Sequence, residues 1–229
     1  MGNLSEFLME ELNVATAFTI PIFGGIEVAE STVISWVIMA IIVILTLVLT
    51  RNMRVEKPGK LQVGVEYTVT ALQNLVRGII GHEGERFVPY LSTVLVFLGI
   101  SNIFAIFGMK PPTKDLNVTA ALALMSIILV QAASIRQNKV GGWLKGFTKP
   151  SKVITPLNVM ELAIRPLSLC MRLFGNVMGA FVVMKLLEHL VPVILPAVFS
   201  LYFDFFDGLL QAYVFVFLTG LYIKEAVEE

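Results

Sequence analysis

The sequence has little cysteine and no excess of charge. Cys170 is the one cysteine in 229 residues, and it lies inside an apolar stretch. One cysteine excludes a disulfide within the chain and a metal site built from several cysteines. The 17 basic residues balance the 17 acidic ones, so no basic surface for nucleic acid is predicted.

Nucleotide-binding motifs are also missing. The sequence contains no G-x-x-x-x-G-K-[ST] pattern, the loop whose backbone N–H groups cradle the phosphates of ATP. No cluster of ligands predicts a metal ion or another cofactor. We therefore expect no cofactor, no metal and no ATP chemistry on this chain.

Apolar side chains, by contrast, are abundant. They make up 56% of the residues, with a mean hydropathy of +0.82, which is more than one water-soluble core can bury. A bilayer core about 30 Å thick is crossed by roughly 20 apolar helical residues. The sequence therefore predicts an all-α, multi-pass membrane protein with five transmembrane helices, at about 31–50, 88–108, 118–135, 157–191 and 193–223.

The placement of charge predicts the orientation of these spans. Lysine and arginine cluster in the short loops 51–60 and 136–152, which the positive-inside rule assigns to the cytoplasm. Residues 1–30 carry acids and no base, and we expect them to form an extracytoplasmic segment before a single membrane domain, 31–229. Five spans then place the C-terminus in the cytoplasm.

Residues 61–86 differ from the spans. Polar and apolar positions alternate there at roughly helical period, and the segment is too polar to cross a bilayer. An amphipathic helix on the cytoplasmic membrane surface is predicted.

The 157–191 span carries polar residues on one helical face. They are spaced by four, three, four, four and three residues, and we call them the arginine stripe: Glu161, Arg165, Ser168, Arg172, Asn176 and Gly179. An arginine near the middle of a membrane is costly, so Arg172 indicates function unless an ion pair within the chain explains it. Arg165 precedes Pro166 and is expected either to join the stripe or to extend toward the inner interface.

The last span carries a second polar face. Asp204, Asp207 and Gln211 are spaced as i, i+3 and i+7, and we call them the carboxylate stripe. Carboxyl groups in an apolar slab are suited to accept and release protons. The alternative is an ion pair of either aspartate with Arg172 or Lys185.

Three segments carry a family resemblance. PLSLCMRLFGN (166–176), LLQAYVFVFLTGLYI (209–223) and PPTKDLNVTAALAL (111–124) resemble subunit a of the F-type ATP synthase in its bacterial form. The resemblance covers nearly the whole chain from the first span onward. It implies an inner (plasma) membrane protein whose last two helices are long, tilted and wrapped around a ring of c subunits. The implied partners are the c ring, the b-subunit peripheral stalk and the remainder of the synthase.

The resemblance also implies roles for single residues. Arg172 matches the stator arginine that faces the carboxylate of each passing c subunit and prevents protons or sodium ions from crossing directly between two offset half-channels. Asn176 and Gln211 match polar positions near that arginine. Ser168 lies one turn away on the stripe, and we expect it to take part in ion translocation.

The remaining matches concern the two half-channels. Asp204 falls at a polar position of the outer one, Asp115 at an acid of its mouth, and Glu161 resembles the acid of the inner one. Phe181 departs from the family, because many members carry glutamate or histidine there. Asp204 and Asp207, or alternatively Glu188, would then supply the missing acid.

Two other functions fit the polar stripes. A secondary transporter would use Arg172 to bind an anionic substrate at the midplane, and would show paired, broken helices in two halves. A membrane scaffold would use the same charges for structure alone.

Overall fold

The chain forms a bundle of long helices. The computed structural model describes residues 16–20, 26–51, 53–54, 58–82, 84–107, 111–146, 155–190 and 199–228. Its elements are β1 (Thr16–Ile20), β2 (Ile26–Ala29), α1 (Glu30–Thr50), α2 (Lys60–Ile80), α3 (Val88–Ile103), α4 (Leu116–Gly146), α5 (Thr155–Leu190) and α6 (Gly208–Glu228). A π-helical segment, Leu201–Asp207, leads directly into α6.

Five helical stretches within the described part are long and apolar enough to cross a membrane. They are Glu30–Thr50, Glu85–Ile103, Leu116–Trp143, Thr155–Glu188 and Leu201–Val227. The predicted all-α, multi-pass class is therefore confirmed.

A short β-hairpin precedes the first span and was not predicted. β1 and β2 pair antiparallel, with Thr19 opposite Glu27, and Ala29 leads without a break into α1. The two strands are too short to give a clear alternation of polar and apolar side chains.

α1 is a peripheral helix. Its large side chains, among them Trp36, Ile44 and Leu47, are exposed, whereas only Ser35 and Ile38 are buried within it. Apolar side chains that the bundle leaves uncovered on a spanning helix are suited to contact lipid.

α2 is the amphipathic helix, and it ends six residues before the predicted boundary at 86. It buries Val76, Ile79 and Ile80 against the bundle. Gly81 then adopts φ 77°, a conformation that suits glycine, and its N–H donates to the carbonyl of Arg77.

The core lies among α2, α3, α4, α5 and α6. From α6 it receives Ala212, Val216, Thr219 and Ile223, which are all fully buried and spaced by four, three and four residues. This spacing places them on one face, so α6 is the helix around which the others pack.

α4 runs beyond the predicted span 118–135 and is broken near its end. Lys139 has φ 57° and ψ 165°, which is not helical. After this break the chain turns back, and the Trp143 indole donates a 2.8 Å hydrogen bond to Gln131.

α5 is the longest helix. Its 36 residues correspond to about 54 Å, well beyond a hydrocarbon core of about 30 Å. A helix of that length tilts or extends past the membrane surface. Pro166 lies inside it and removes one backbone hydrogen bond.

Candidate functional site

Arg172 lies on the outer surface of the helix bundle. Arg172 and Asn176 are exposed, whereas Leu169 and Leu173, on the side of α5 that packs inward, are 2% and 1% exposed. Among the described side chains, no hydrogen bond or ion pair engages Arg172. The described part of the chain therefore leaves its guanidinium exposed and without a partner.

Two other cations of α5 are paired. The Arg165 guanidinium donates to the Glu161 carboxylate at 2.9 Å, and the Lys185 ammonium to the Glu188 carboxylate at 2.9 Å. These pairs lie on either side of Arg172 along the helix. Arg172 differs from both in being exposed without a described carboxylate partner.

The rest of the arginine stripe follows the same face. Ser168 is half-buried one turn before Arg172, and Glu161 is exposed. A Cβ atom added at Gly175 or at Gly179 would meet nothing within 4 Å. The stripe therefore borders open space along which a second helix can approach closely.

The carboxylate stripe spans the π-helical segment and the first turn of α6. The Gln211 side chain is 7% exposed, and its amide donates to the half-buried Asp207 carboxylate at 3.5 Å. The side chain of Asp204 lies outside the described part of the structure. Residues 201–207 are π-helical, with i→i+5 hydrogen bonds, so the α-helical spacing that placed Asp204 and Asp207 on one face does not hold between them.

A buried polar contact fixes the start of α6. The Asn102 amide donates a 2.8 Å hydrogen bond to the backbone carbonyl of Gly208, while its oxygen accepts one of 2.8 Å from the Thr113 hydroxyl. All three residues are buried. This contact ties α3 and the turn before α4 to the junction between the π-helical segment and α6.

Asp115 is a helix cap in addition to its predicted place at a channel mouth. It is 4% exposed, and one carboxylate oxygen accepts from the Asn117 backbone N–H at 2.9 Å, at the start of α4. The other accepts from the Ser31 hydroxyl of α1. Its carboxylate thus joins the first span to the core.

Phe181 lies between two lysines. The Lys114 ammonium is 3.4 Å from the centre of its ring, and the Lys185 ammonium is 5.8 Å away. Both are cation–π contacts. At the position where many family members carry an ionisable group, this chain thus holds an aromatic ring flanked by positive charge.

At the opposite end of the bundle, Arg165 joins α5 to α6. Besides Glu161, its guanidinium donates to the Glu225 carboxylate at 2.8 Å, and it lies 5.0 Å from the ring centre of Tyr222. Arg165 therefore links α5 to α6 through two half-exposed carboxylates, and its extension toward the inner interface stays a prediction.

Sequence reasoning missed Asn102, Lys114 and Glu225 as members of these contacts. A lone asparagine in an apolar span was the available signal for Asn102. Glu225 stands near the end of the chain among other charged residues, where its distant partner cannot be read from spacing.

Comparison with known proteins shows the family of the chain. The model of the family described as ATP synthase A chain matches residues 32–224. ATP synthase subunit a of Moorella thermoacetica is 37% identical over 205 residues, covering 89% of this chain and 93% of that one.

Two further relatives are similar. Subunit a 1 of Hahella chejuensis is 33% identical over 207 residues, covering 90% of this chain and 87% of that protein. The sodium ion specific subunit a of Propionigenium modestum is 30% identical over 219 residues, covering 89% and 75%. The chain therefore belongs to the ATP synthase A chain family, the non-catalytic, ion-conducting stator subunits in the membrane sector of the F-type ATP synthase.

Proposed function

We propose that Arg172 faces the ion-binding carboxylate of each passing c subunit and separates two offset half-channels. The observation that carries this proposal is the position of Arg172 on a spanning helix, exposed and without a partner among the described side chains. An arginine at membrane depth needs a compensating anion or water. A carboxylate on another subunit supplies that anion.

The chemistry follows from charge. A fixed cation stabilises a c-subunit carboxylate when it is ionised, and it repels a cation that would pass straight between the half-channels. Each carboxylate, with its ion bound, must therefore be carried around by rotation of the c ring before the ion is released. Transport is coupled to rotation for this reason.

The outer half-channel is assigned to Asp207, Gln211 and Asn176, with Asp204 before them and Asp115 near the mouth. The hydrogen bond between Gln211 and Asp207 supports a continuous polar route at the start of α6.

The inner half-channel is assigned to Ser168 and Glu161. Both lie on the arginine stripe between Arg172 and the start of α5, and Glu161 is exposed. A carboxylate at the cytoplasmic mouth attracts the cation that leaves the c ring. The ion is a proton or a sodium ion, and we assign its selection mainly to the c-subunit site.

The proposed orientation places residues 1–30 outside the cell and the C-terminus in the cytoplasm. The basic loops 51–60 and 136–152 then lie on the cytoplasmic side. The c ring contacts the arginine stripe, and the b-subunit stalk and the remaining subunits complete the assembly in the plasma membrane. Family membership favours this function over a secondary transporter or a scaffold.

Cross-linking tests which face of α5 meets the c ring. In a Cys170→Ala background, Asn176→Cys places a thiol on the stripe, and Leu167→Cys places an equally accessible one well off that face. Each is oxidised in the assembled complex with a c subunit carrying one cysteine beside its carboxylate. We expect the Asn176 variant to form the a–c product and the Leu167 variant to form little. The reverse pattern would overturn the proposed interface.

A further inference from the structure

Arg165 is the second cation of the arginine stripe and lies on the same face as Arg172. The seven residues between them are two helical turns, or about 10 Å along α5. An ionised carboxylate moving past this face is therefore within reach of both positive fields. If neither guanidinium group had a partner within the chain, the c-subunit carboxylate could form an ion pair at two positions of the stripe.

Of these two guanidinium groups, that of Arg165 is paired and that of Arg172 has no partner among the described side chains. The Nη2 atom of Arg165 lies 2.9 Å from the Glu161 carboxylate of α5 and 2.8 Å from the Glu225 carboxylate of α6. The Arg165 side chain is 22% exposed, and the two glutamates are 48% and 47% exposed. Two acids thus share one guanidinium, whereas no described acid pairs with Arg172.

The Glu225 contact is unlike an ordinary surface ion pair. Glu161 is four residues from Arg165, the spacing of many exposed helix pairs that contribute little to stability. Glu225 is 60 residues away, on another helix, and reaches the same nitrogen beside the Tyr222 ring. A second carboxylate beside an already paired arginine gives Glu161, Arg165 and Glu225 together a net negative charge.

We propose that Glu161 and Glu225 are positioning residues that neutralise Arg165, so that Arg172 is the single cation of the stripe available to the c-subunit carboxylate. This inference rests on the proposed function, because it assumes that the stripe faces the c ring. It gives Glu225 a role in ion translocation through its effect on Arg165. The net negative charge of Glu161, Arg165 and Glu225 also favours departure of a cation toward the cytoplasm.

The test compares variants of the reconstituted complex in liposomes, followed by ATP-driven pumping and by gradient-driven ATP synthesis. The double variant Glu161→Gln/Glu225→Gln leaves Arg165 without its acids. We expect both rates to fall roughly three- to tenfold, the scale of a net change of two charges acting over about 10 Å in a largely hydrated environment. The complex remains assembled, because glutamine has nearly the size of glutamate and its amide oxygen still accepts a hydrogen bond from the guanidinium.

The decisive variant is the triple one, with Arg165→Gln added. If Arg165 competes with Arg172, removal of the unpaired cation raises both rates several-fold above those of the double variant, to the level of the single variant Glu161→Gln, which lacks the same inner half-channel acid but keeps Arg165 paired with Glu225. If Arg165 only holds α5 and α6 together, the triple variant should be at least as impaired as the double one. That result, or a double variant with wild-type rates, would overturn the inference.

Glu85→Gln is the matched control. It breaks the 3.2 Å ion pair between Glu85 and Arg77, neither of which lies on α5 or α6, and should leave both rates unchanged. Arg172→Ala in the same assay separates the two proposals. If coupled transport survives that change, the proposed function fails; if it is lost while the triple variant stays impaired, only the present inference fails.

Discussion

The Asn102 side chain donates a 2.8 Å hydrogen bond to the backbone carbonyl of Gly208, at the first residue of α6. Asp207 precedes Gly208 and Gln211 follows it by three residues, so this bond anchors the part of the chain that bears the proposed outer path. α3 therefore holds the start of α6, and with it Asp207 and Gln211, in place.

Gly208→Ala is expected to displace the start of α6. A Cβ atom at this position would lie 2.9 Å from the Cβ of Asn102, closer than carbon atoms in contact approach. Relief of that overlap costs about 1–3 kcal/mol and moves Asp207 and Gln211. The thermal stability of the purified complex and its pumping rate should both fall.

Gly99→Ala is the control for that substitution. Its Cβ would lie 3.5 Å from a methyl group of Leu209, an ordinary contact between the same two helices. We expect nearly wild-type stability and pumping. Equal loss in the two variants would show that added volume anywhere between α3 and α6 is responsible, and that the Asn102 contact has no special role.

Two substitutions of Asp115 are expected to separate its role as a helix cap from the effect of its charge. Asparagine is as good a helix cap as aspartate, so Asp115→Asn should assemble normally. Asp115→Ala loses the bond to the Asn117 N–H and should destabilise the protein by about 1 kcal/mol. Unfolding of the complex in detergent measures this difference.

The same pair of variants tests the proposed channel mouth. If the Asp115 charge attracts ions, Asp115→Asn pumps more slowly than wild type despite normal stability. Wild-type pumping by the asparagine variant would limit Asp115 to a structural role.

Phe181→Glu should be tolerated in the assembled complex. The new carboxylate would lie close to the Lys114 and Lys185 ammonium groups, which now contact the ring. Leu169→Glu, by contrast, places a carboxylate at a 2% exposed position of the apolar core, where an unpaired charge is costly. Co-purification with the other subunits should be retained in the first variant and lost in the second. Loss in both would contradict the arrangement of the lysines around residue 181.

The sequence was sufficient for features that repeat along a helix. Runs of apolar residues predicted five spans, and a spacing of three and four residues placed Arg172 and Asn176 on one face, where both are exposed. Such periodicity reflects local geometry, which neighbouring residues determine.

Contacts between distant segments could not be predicted in the same way. Asn102 is 106 residues from Gly208, and Arg165 is 60 residues from Glu225, so no spacing rule relates them. The π-helical segment before α6 also follows no simple composition rule, and it removes the α-helical spacing from which a shared face of Asp204 and Asp207 was predicted.

The most direct test of the central claim is Arg172→Ala, with Arg136→Ala as a control for the loss of an exposed arginine off the stripe. The purified complexes are reconstituted in liposomes and compared with wild type for ATP-driven pumping and gradient-driven ATP synthesis. We predict that both activities vanish in the Arg172 variant, while its subunits still co-purify and the Arg136 variant remains active. Coupled transport that persists without the Arg172 guanidinium would contradict its role as the stator cation.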